Sequence, residues 1–234
     1  MNLVYCPLAA VDSIVVPDEN EFHHLQVLRA HEGESLHIID GRGNLYQGTL
    51  MSMGKRSAAI QIAALIRSDP PATARLHIAI APTKNIDRLE WFAEKATEIG
   101  VNTITPVTCQ RSERRVLRLD RIEKVVLSAA KQSLRLHLPE INDVISLPSF
   151  IQANKSGTSK KFIAHCGDYT VLLKNCFLAQ ESIIVLIGPE GDFTDEEVRL
   201  AEANGFISVS LGEGRLRTET AGVMVSAIFA INNE

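Results

Sequence analysis

Two stretches of the chain carry residue types that could hold a ligand. One is "IIVLIGPEGDFTDEE", which turns at Gly188-Pro189-Glu190-Gly191-Asp192, and the other is "LGEGRLRTETAG", Leu211 to Gly222. Each reads as a strand running into a glycine turn and then a helix, an arrangement that presents backbone N–H groups to a ligand. A P-loop would need a Lys and then a Ser or Thr after its last glycine, to meet phosphate and magnesium. Here Glu190 and Asp192 put negative charge in that place. The dinucleotide fingerprint fails too, because Gly212-Glu213-Gly214 is followed by Arg217 where a third glycine belongs.

A ligand without phosphates suits both turns better. S-adenosylmethionine, an adenosine with ribose hydroxyls and a cationic sulfonium, is such a ligand, and backbone amides and carbonyls can meet its groups. The same residues also serve as plain tight turns with acidic helix starts favoured by the helix dipole. Residue types alone leave both readings open. Cys6, Cys109, Cys166 and Cys176 are scattered, with no CxxC pair and no histidine at zinc spacing, so neither a disulfide framework nor a metal is expected. A reducing, cytoplasmic location is the expectation, with no targeting segment and no membrane span.

The formal net charge of −4 argues against a polyanionic partner until its distribution is counted. Lys and Arg stand 5 against 8 Asp and Glu in residues 1–70, 12 against 7 in 71–138, and 7 against 13 in the remainder. Local charge decides where a polyanion lands. The basic segment "RSERRVLRLDRIEKVVLSAAKQSLR" carries Arg111, Arg114, Arg115, Arg118, Arg121, Lys124, Lys131 and Arg135. Such a cluster can neutralise phosphates. It can equally be a solvated helix face paired with Glu113, Asp120 and Glu123.

The elements that must position these residues fall into two blocks. "ESLHIID", "LYQGTLM" and "SAAIQIAALI" alternate as short strands around the turn "GRGN", giving a small β-rich module over residues 1–70. The two prolines of "SDPPAT" mark the boundary. From 71 to 234 strands and helices alternate. "LHIAIAP" is a strand, and "DRLEWFAEKATEIG" a helix with Asp87 placed to cap it and Gly100 to end it. "TITPVT" is a strand, and a helix runs near Leu119 to Leu134. After a less regular stretch come the strands "KFIAHC" and "SIIVLIG", then a helix with Thr194 and Glu197 as a capping box and Asn204-Gly205 as its stop. "FISVSLG" and an almost wholly apolar helix around Thr220 to Asn232 close the chain. This alternation predicts an α/β fold with a mostly parallel sheet covered on both faces, whose ligands bind at the carboxyl ends of the strands.

"LIGPEGDFTDEEV" and "SLGEGRLRTETAGVMVSAI" resemble the two signature segments of the RsmE family, the 16S rRNA (uracil N3) methyltransferases of the SPOUT superfamily. "HHLQVLRAHEGESLHIIDGRGNLYQGTL" resembles that family's PUA-like N-terminal domain. "APTKNIDRLEWFAEKATEIGV" resembles its first strand and helix, and "AAKQSLRLHLPEI" its glutamine- and arginine-bearing helix end. The resemblance implies a SPOUT domain tied in a C-terminal trefoil knot, an exception to the usual absence of threaded chains. It also implies a homodimer through the C-terminal domain and a pocket for S-adenosylmethionine. Main-chain groups at Leu186, Gly188, Glu190 and Gly191, and at Leu211, Gly212, Leu216 and Thr220, would hold the cofactor. The chain departs from the family where Asp192 replaces a common glycine and where Glu213-Gly214 replaces a proline-arginine pair, with Arg215 supplying a charge one position after the missing arginine.

The implied reaction removes the proton of uracil N3 and aligns the resulting anion with a methyl donor. Arg217 is the candidate for stabilising charge on the uracil carbonyls. Glu219 is the candidate for accepting the proton, directly or through water, and a helix-start carboxylate also has a purely structural use. In the N-terminal module Arg29 and Arg42 are candidates for gripping rRNA of the small subunit, alongside Arg111, Arg114, Arg115, Lys131 and Arg135. Two other readings remain open: a ribosome-assembly RNA-binding protein without catalysis, and a SPOUT enzyme acting on another RNA position such as a ribose hydroxyl.

Overall fold

Hydrophobic alternation and glycine punctuation build the first sheet. In the computed structural model, which describes residues 3–167 and 171–233, five strands form a mixed sheet. They are β1 (Leu3–Tyr5), β2 (Ile14–Val15), β3 (Ser35–Ile39), β4 (Asn44–Met53) and β5 (Ala58–Ser68), in the order β1-β3-β4-β5-β2. Only β1 pairs in parallel, with β3. Helix α1 (Glu19–Val27), capped by the Asp18 side chain accepting from the Glu21 N–H, supplies Phe22 and Leu25 to the core of this sheet.

Two compact units emerge from the contacts. One comprises Met1–Pro71 with Ala130–Leu138, and the other Ala72–Ala129 with Pro139–Glu234. The segment Ala130–Leu138 joins the first unit through Leu136, which packs with Leu3 and Ile39, and through the N–H of Gly43 donating to the Leu136 carbonyl.

The second unit is a parallel sheet with helices on both faces. Its strands are β6 (Leu76–Ile80), β7 (Thr103–Thr108), β8 (Glu140–Ile141), β9 (Ile145–Ser146), β10 (Lys160–Ala164), β11 (Ile183–Ile187) and β12 (Ile207–Val209). Their order is β12-β10-β11-β6-β7-β8, with β9 also on β7, so β11 sits between two strands that precede it in the chain. Helices α2 (Ile86–Ile99), α3 (Leu119–Ser133) and α6 (Thr218–Asn233) contribute to the core on one face. Helices α4 (Leu147–Ala153) and α5 (Asp195–Ala203) contribute on the other. The strands alternate accordingly: Leu76, Ile78 and Ile80 face the first group, Ala79 and Ala81 the second. Such two-sided burial explains why these strands are apolar throughout.

Local signals act as the sequence reading expects at α5, where Thr194 and Glu197 form a complete capping box and Gly205 (φ 85°) follows the last turn. Helix α2 differs at its start. Asn85, not Asp87, is the cap, its side chain accepting from the Asp87 N–H at 3.1 Å, so the helix opens before the expected residue. Gly100 ends α2 in the left-handed region as expected. The stretch between α3 and β10, irregular by pattern, holds β8, β9 and α4.

Candidate functional site

Three strands of the parallel sheet end at one cavity. Ala164 ends β10 and His165 to Gly167 follow it, Gly188 to Glu190 and Asp192 follow β11, and Ser210 to Thr218 follow β12; together with Ile187 and Ala221 they enclose a space of about 600 Å³. This is the carboxyl edge, beside the point where β11 enters between β6 and β10. The two glycine turns picked out by sequence are therefore walls of a single site.

Each wall is held by named bonds. The Thr218 hydroxyl donates to the Gly188 carbonyl at 3.0 Å, fixing the start of α6 to the end of β11. Gly188 packs against the Phe193 ring, which a Cβ there would meet at 3.1 Å. Asp192 lies in the left-handed region (φ 61°), and its carboxylate accepts from the N–H of Phe193 and from that of Cys166, each at 2.8 Å. The turn after β11 is thereby tied to the end of β10. Gly212 (φ 142°) adopts a backbone conformation that a side chain would strain, and among the described residues nothing lies within 4 Å of its Cβ position or that of Gly214. His165, bonded to the Ser208 hydroxyl at 3.1 Å, has its pKa held below the ordinary histidine value by burial, against the opposing pull of Asp192.

Of the residues expected to hold a cofactor, Gly188, Glu190, Leu211, Gly212 and Leu216 line the cavity. Leu186 points its side chain into the core beneath α4 and α5, Gly191 lies under the stem of Arg111, and Thr220 sits half-buried in the first turn of α6. Arg217 lines the cavity, is exposed, and makes no ion pair among the described residues. Glu219 does not line it. Only 7% exposed, it sets Oε1 3.8 Å from Arg88 Nε, and its Oε2 is buried without a hydrogen-bond donor among the described residues. Sequence reading missed Arg88, since a lone arginine in a helix start carries no pattern.

The basic residues divide sharply. Arg111 donates from Nη1 to the carbonyls of Gly191 (2.8 Å) and Phe193 (3.2 Å), and Arg114 donates to the carbonyls of Thr83 and Lys84. Lys131 is half-buried against the buried Glu21, with Nζ 2.8 Å from Oε1 and 2.9 Å from Oε2. Arg115 is exposed without an ion pair among the described residues. In the N-terminal unit Arg29, at φ 56°, and Arg135 are exposed. Arg42 is largely exposed as well, although its Nη2 donates to the Pro7 carbonyl at 2.8 Å. Among the described residues no group of His, Cys, Asp and Glu could hold a metal, and no helix is long and apolar enough to cross a membrane.

Comparison with known proteins bears on this geometry. A family model described as RNA methyltransferase domain matches residues 70–230, and one described as RNA methyltransferase PUA domain matches residues 17–63. Ribosomal RNA small subunit methyltransferase E of Rickettsia conorii is 26% identical over 222 residues, covering 94% of this chain and 90% of the relative. Among solved structures, a probable rRNA-methyltransferase from Porphyromonas gingivalis is 34% identical, with a TM-score of 0.86 over 97% of this chain and 96% of the other. Ribosomal RNA small subunit methyltransferase E from Neisseria gonorrhoeae, solved bound to S-adenosyl methionine, is 29% identical with a TM-score of 0.84, covering 97% and 95%.

Proposed function

This chain belongs to the RNA methyltransferase domain family, with that family's PUA domain at its N-terminal end, and from that premise we propose that it transfers the methyl group of S-adenosylmethionine to N3 of a uridine in 16S rRNA. The observation that carries the reading is the single cavity at the carboxyl edge, built by the turns after β10, β11 and β12. Its donor set suits this cofactor. Main-chain groups of Gly188, Leu211, Gly212 and Leu216 are the partners for adenine and ribose, and the carboxylates of Glu190, Asp192 and Glu213 complement a cation. Similar folds with bound S-adenosyl methionine support the same assignment. Bound there, the cofactor supplies an electrophilic methyl group.

The remaining chemistry rests on the chain's own residues. Arg217, exposed at the cavity, is assigned to the uracil carbonyls, where it stabilises the charge left when N3 loses its proton. Glu219, which does not line the cavity, is assigned that proton through a water, because its Oε2 has no donor among the described residues. The same carboxylate holds Arg88, and the two roles separate experimentally. A changed acidic limb in the pH–rate profile of Glu219→Gln supports proton transfer, and an unchanged profile with a lower rate supports anchoring alone.

For RNA contact we assign Arg29, Arg42 and Arg135 in the N-terminal unit and Arg115 in the C-terminal unit, because their side chains are exposed. The reading includes the trefoil knot that the family resemblance implies. It also includes a homodimer through α6 and action in the cytoplasm, where ribosomal subunits are found. The test is methyl transfer from labelled S-adenosylmethionine to small subunits from cells lacking this protein, with the product nucleoside identified by mass spectrometry. The expected product is 3-methyluridine. Another methylated nucleoside overturns the target, and no transfer despite cofactor binding overturns the enzymatic reading.

A further inference from the structure

Arg111 stands in a basic cluster whose obvious use is RNA, yet its guanidinium points at a protein backbone. Nη1 donates to the carbonyls of Gly191 and Phe193, the two residues that flank Asp192 in the cavity turn. Its aliphatic stem lies across Gly191, where an added Cβ would come within 3.3 Å of Arg111 Cβ and 3.4 Å of its Cδ. A side chain at residue 191 would therefore make the stem give by a few tenths of an ångström, a packing reason for this glycine independent of any ligand.

The segment carrying Arg111 is itself fixed on both sides. The Cys109 N–H donates to the Ser112 hydroxyl at 2.9 Å, and the Gln110 N–H donates to Glu197 Oε1 at 2.7 Å. Glu197 is the capping-box residue of α5, and its other oxygen accepts from Thr194. Three residues further on, Arg114 grips the Thr83 and Lys84 carbonyls at the start of the loop into α2. The Lys84 N–H returns to the cavity turn by donating to Glu190 Oε1 at 3.0 Å, and Lys84 Nζ pairs with Glu113 at 2.9 Å. The bonds close a circuit through three loops: the turn after β11, the loop after β6 and the loop after β7.

We propose that Arg111 is a positioning residue for the cofactor turn Gly188–Asp192, presetting its main-chain groups, and is not an RNA contact. The proposal rests on the reading of that cavity as the S-adenosylmethionine site. Both bonds leave the one Nη1 atom, whose N–H groups are fixed in the guanidinium plane while the stem covers Gly191; a lysine carries its donors on a shorter stem and a freely rotating ammonium, which does not hold that orientation. Loss of the clamp leaves the turn free to sample other conformations, which lowers affinity by the fraction of time it is misplaced.

The test compares Arg111→Lys and Arg111→Ala with the wild type by calorimetric titration of S-adenosylmethionine and by binding of naked 16S rRNA at several salt concentrations. Both variants are expected to lose about 10- to 100-fold in cofactor affinity, with KM for the cofactor rising far more than kcat falls, while RNA affinity and its salt slope stay at wild-type values. Arg111→Lys decides the matter if Arg111→Ala does not fold, since it keeps the charge and removes the fork. Cofactor affinity within about twofold of wild type in Arg111→Lys, together with wild-type RNA affinity for that variant, overturns the proposal and returns Arg111 to a generic cationic role. Failure of the wild type itself to bind S-adenosylmethionine overturns the reading of the cavity, a result distinguishable from either.

Discussion

Asp192 does with its carboxylate what a glycine does by lacking a side chain. At φ 61° it occupies a region that favours glycine, and two hydrogen bonds from the Phe193 and Cys166 amides offset the strain. The departure from the family's common glycine was visible in the sequence, but its compensation was not, because Cys166 is distant in the chain. The same limit applies to the arginines. Sequence shows a cluster from Arg111 to Arg121, and nothing in residue type separates Arg114, which faces carbonyls, from Arg115, which faces solvent. Arg217 is the clearest residue-scale prediction. Exposed at the cavity and without an ion pair among the described residues, it is placed to act on a substrate and bears no visible structural duty. Arg217→Ala should lower the single-turnover methylation rate by about 100-fold while S-adenosylmethionine affinity and melting temperature hold. Full activity in this variant would remove Arg217 from the reaction.

Helix and strand identities were largely legible because their signals are local. The capping box of α5, the Gly100 stop of α2 and the apolar runs of β6 and β11 lie within a few residues of what they specify. Helix α1 was not legible: only Phe22 and Leu25 of its nine residues join the apolar core, and its buried Glu21 depends on Lys131, far along the chain. Contacts between elements are equally silent in sequence, and the crossing of α2 and α6 is an example. A Cβ on Gly222 would lie 2.4 Å from Cδ2 and Cε2 of Phe92. Gly222→Ala should therefore destabilise by about 2 kcal/mol through overpacking, although alanine is the better helix former by about 1 kcal/mol. Chemical denaturation measures the loss, and adding Phe92→Leu should recover part of it. In β6, burial and the nearby Arg75 charge push the His77 pKa down to about 4, and its Nε2 lies 2.7 Å from the Thr105 hydroxyl. The unfolded chain then binds a proton that the folded one refuses. Stability from this group is present above the ordinary histidine pKa and is lost as pH falls toward 4, by about 3 kcal/mol. Denaturation midpoints of the wild type and His77→Gln, measured across that window, should converge as pH falls; parallel curves would exclude the assignment.

At the scale of the whole molecule, the final helix joins stability to function. The sequence shows it apolar almost all round, which by itself implies burial on every side. The structure buries one face: Ala221, Val225 and Phe229 enter the core, while Met224 is 39% exposed and Ile231 73% exposed. Helix α2, packed against α6, leaves Trp91 43% exposed. A second copy of the chain is the occupant that the proposed reading supplies for these exposed apolar side chains. Helix α6 also starts at the cavity, where Thr218 holds the Gly188 carbonyl and Ala221 lines the wall. In the proposed dimer, ordering of α6 would carry over to the cavity wall. The double variant Met224→Lys, Ile231→Lys changes only exposed positions and should stay folded, as circular dichroism would verify. Sedimentation should show a dimer for the wild type at micromolar concentration and a monomer for the variant. If the cavity depends on the dimer, the monomeric variant binds S-adenosylmethionine more weakly than the wild type, and dilution of the wild type weakens binding in the same way. A wild-type mass that stays monomeric at every concentration would remove the dimer and, with it, the coupling between this helix and the site.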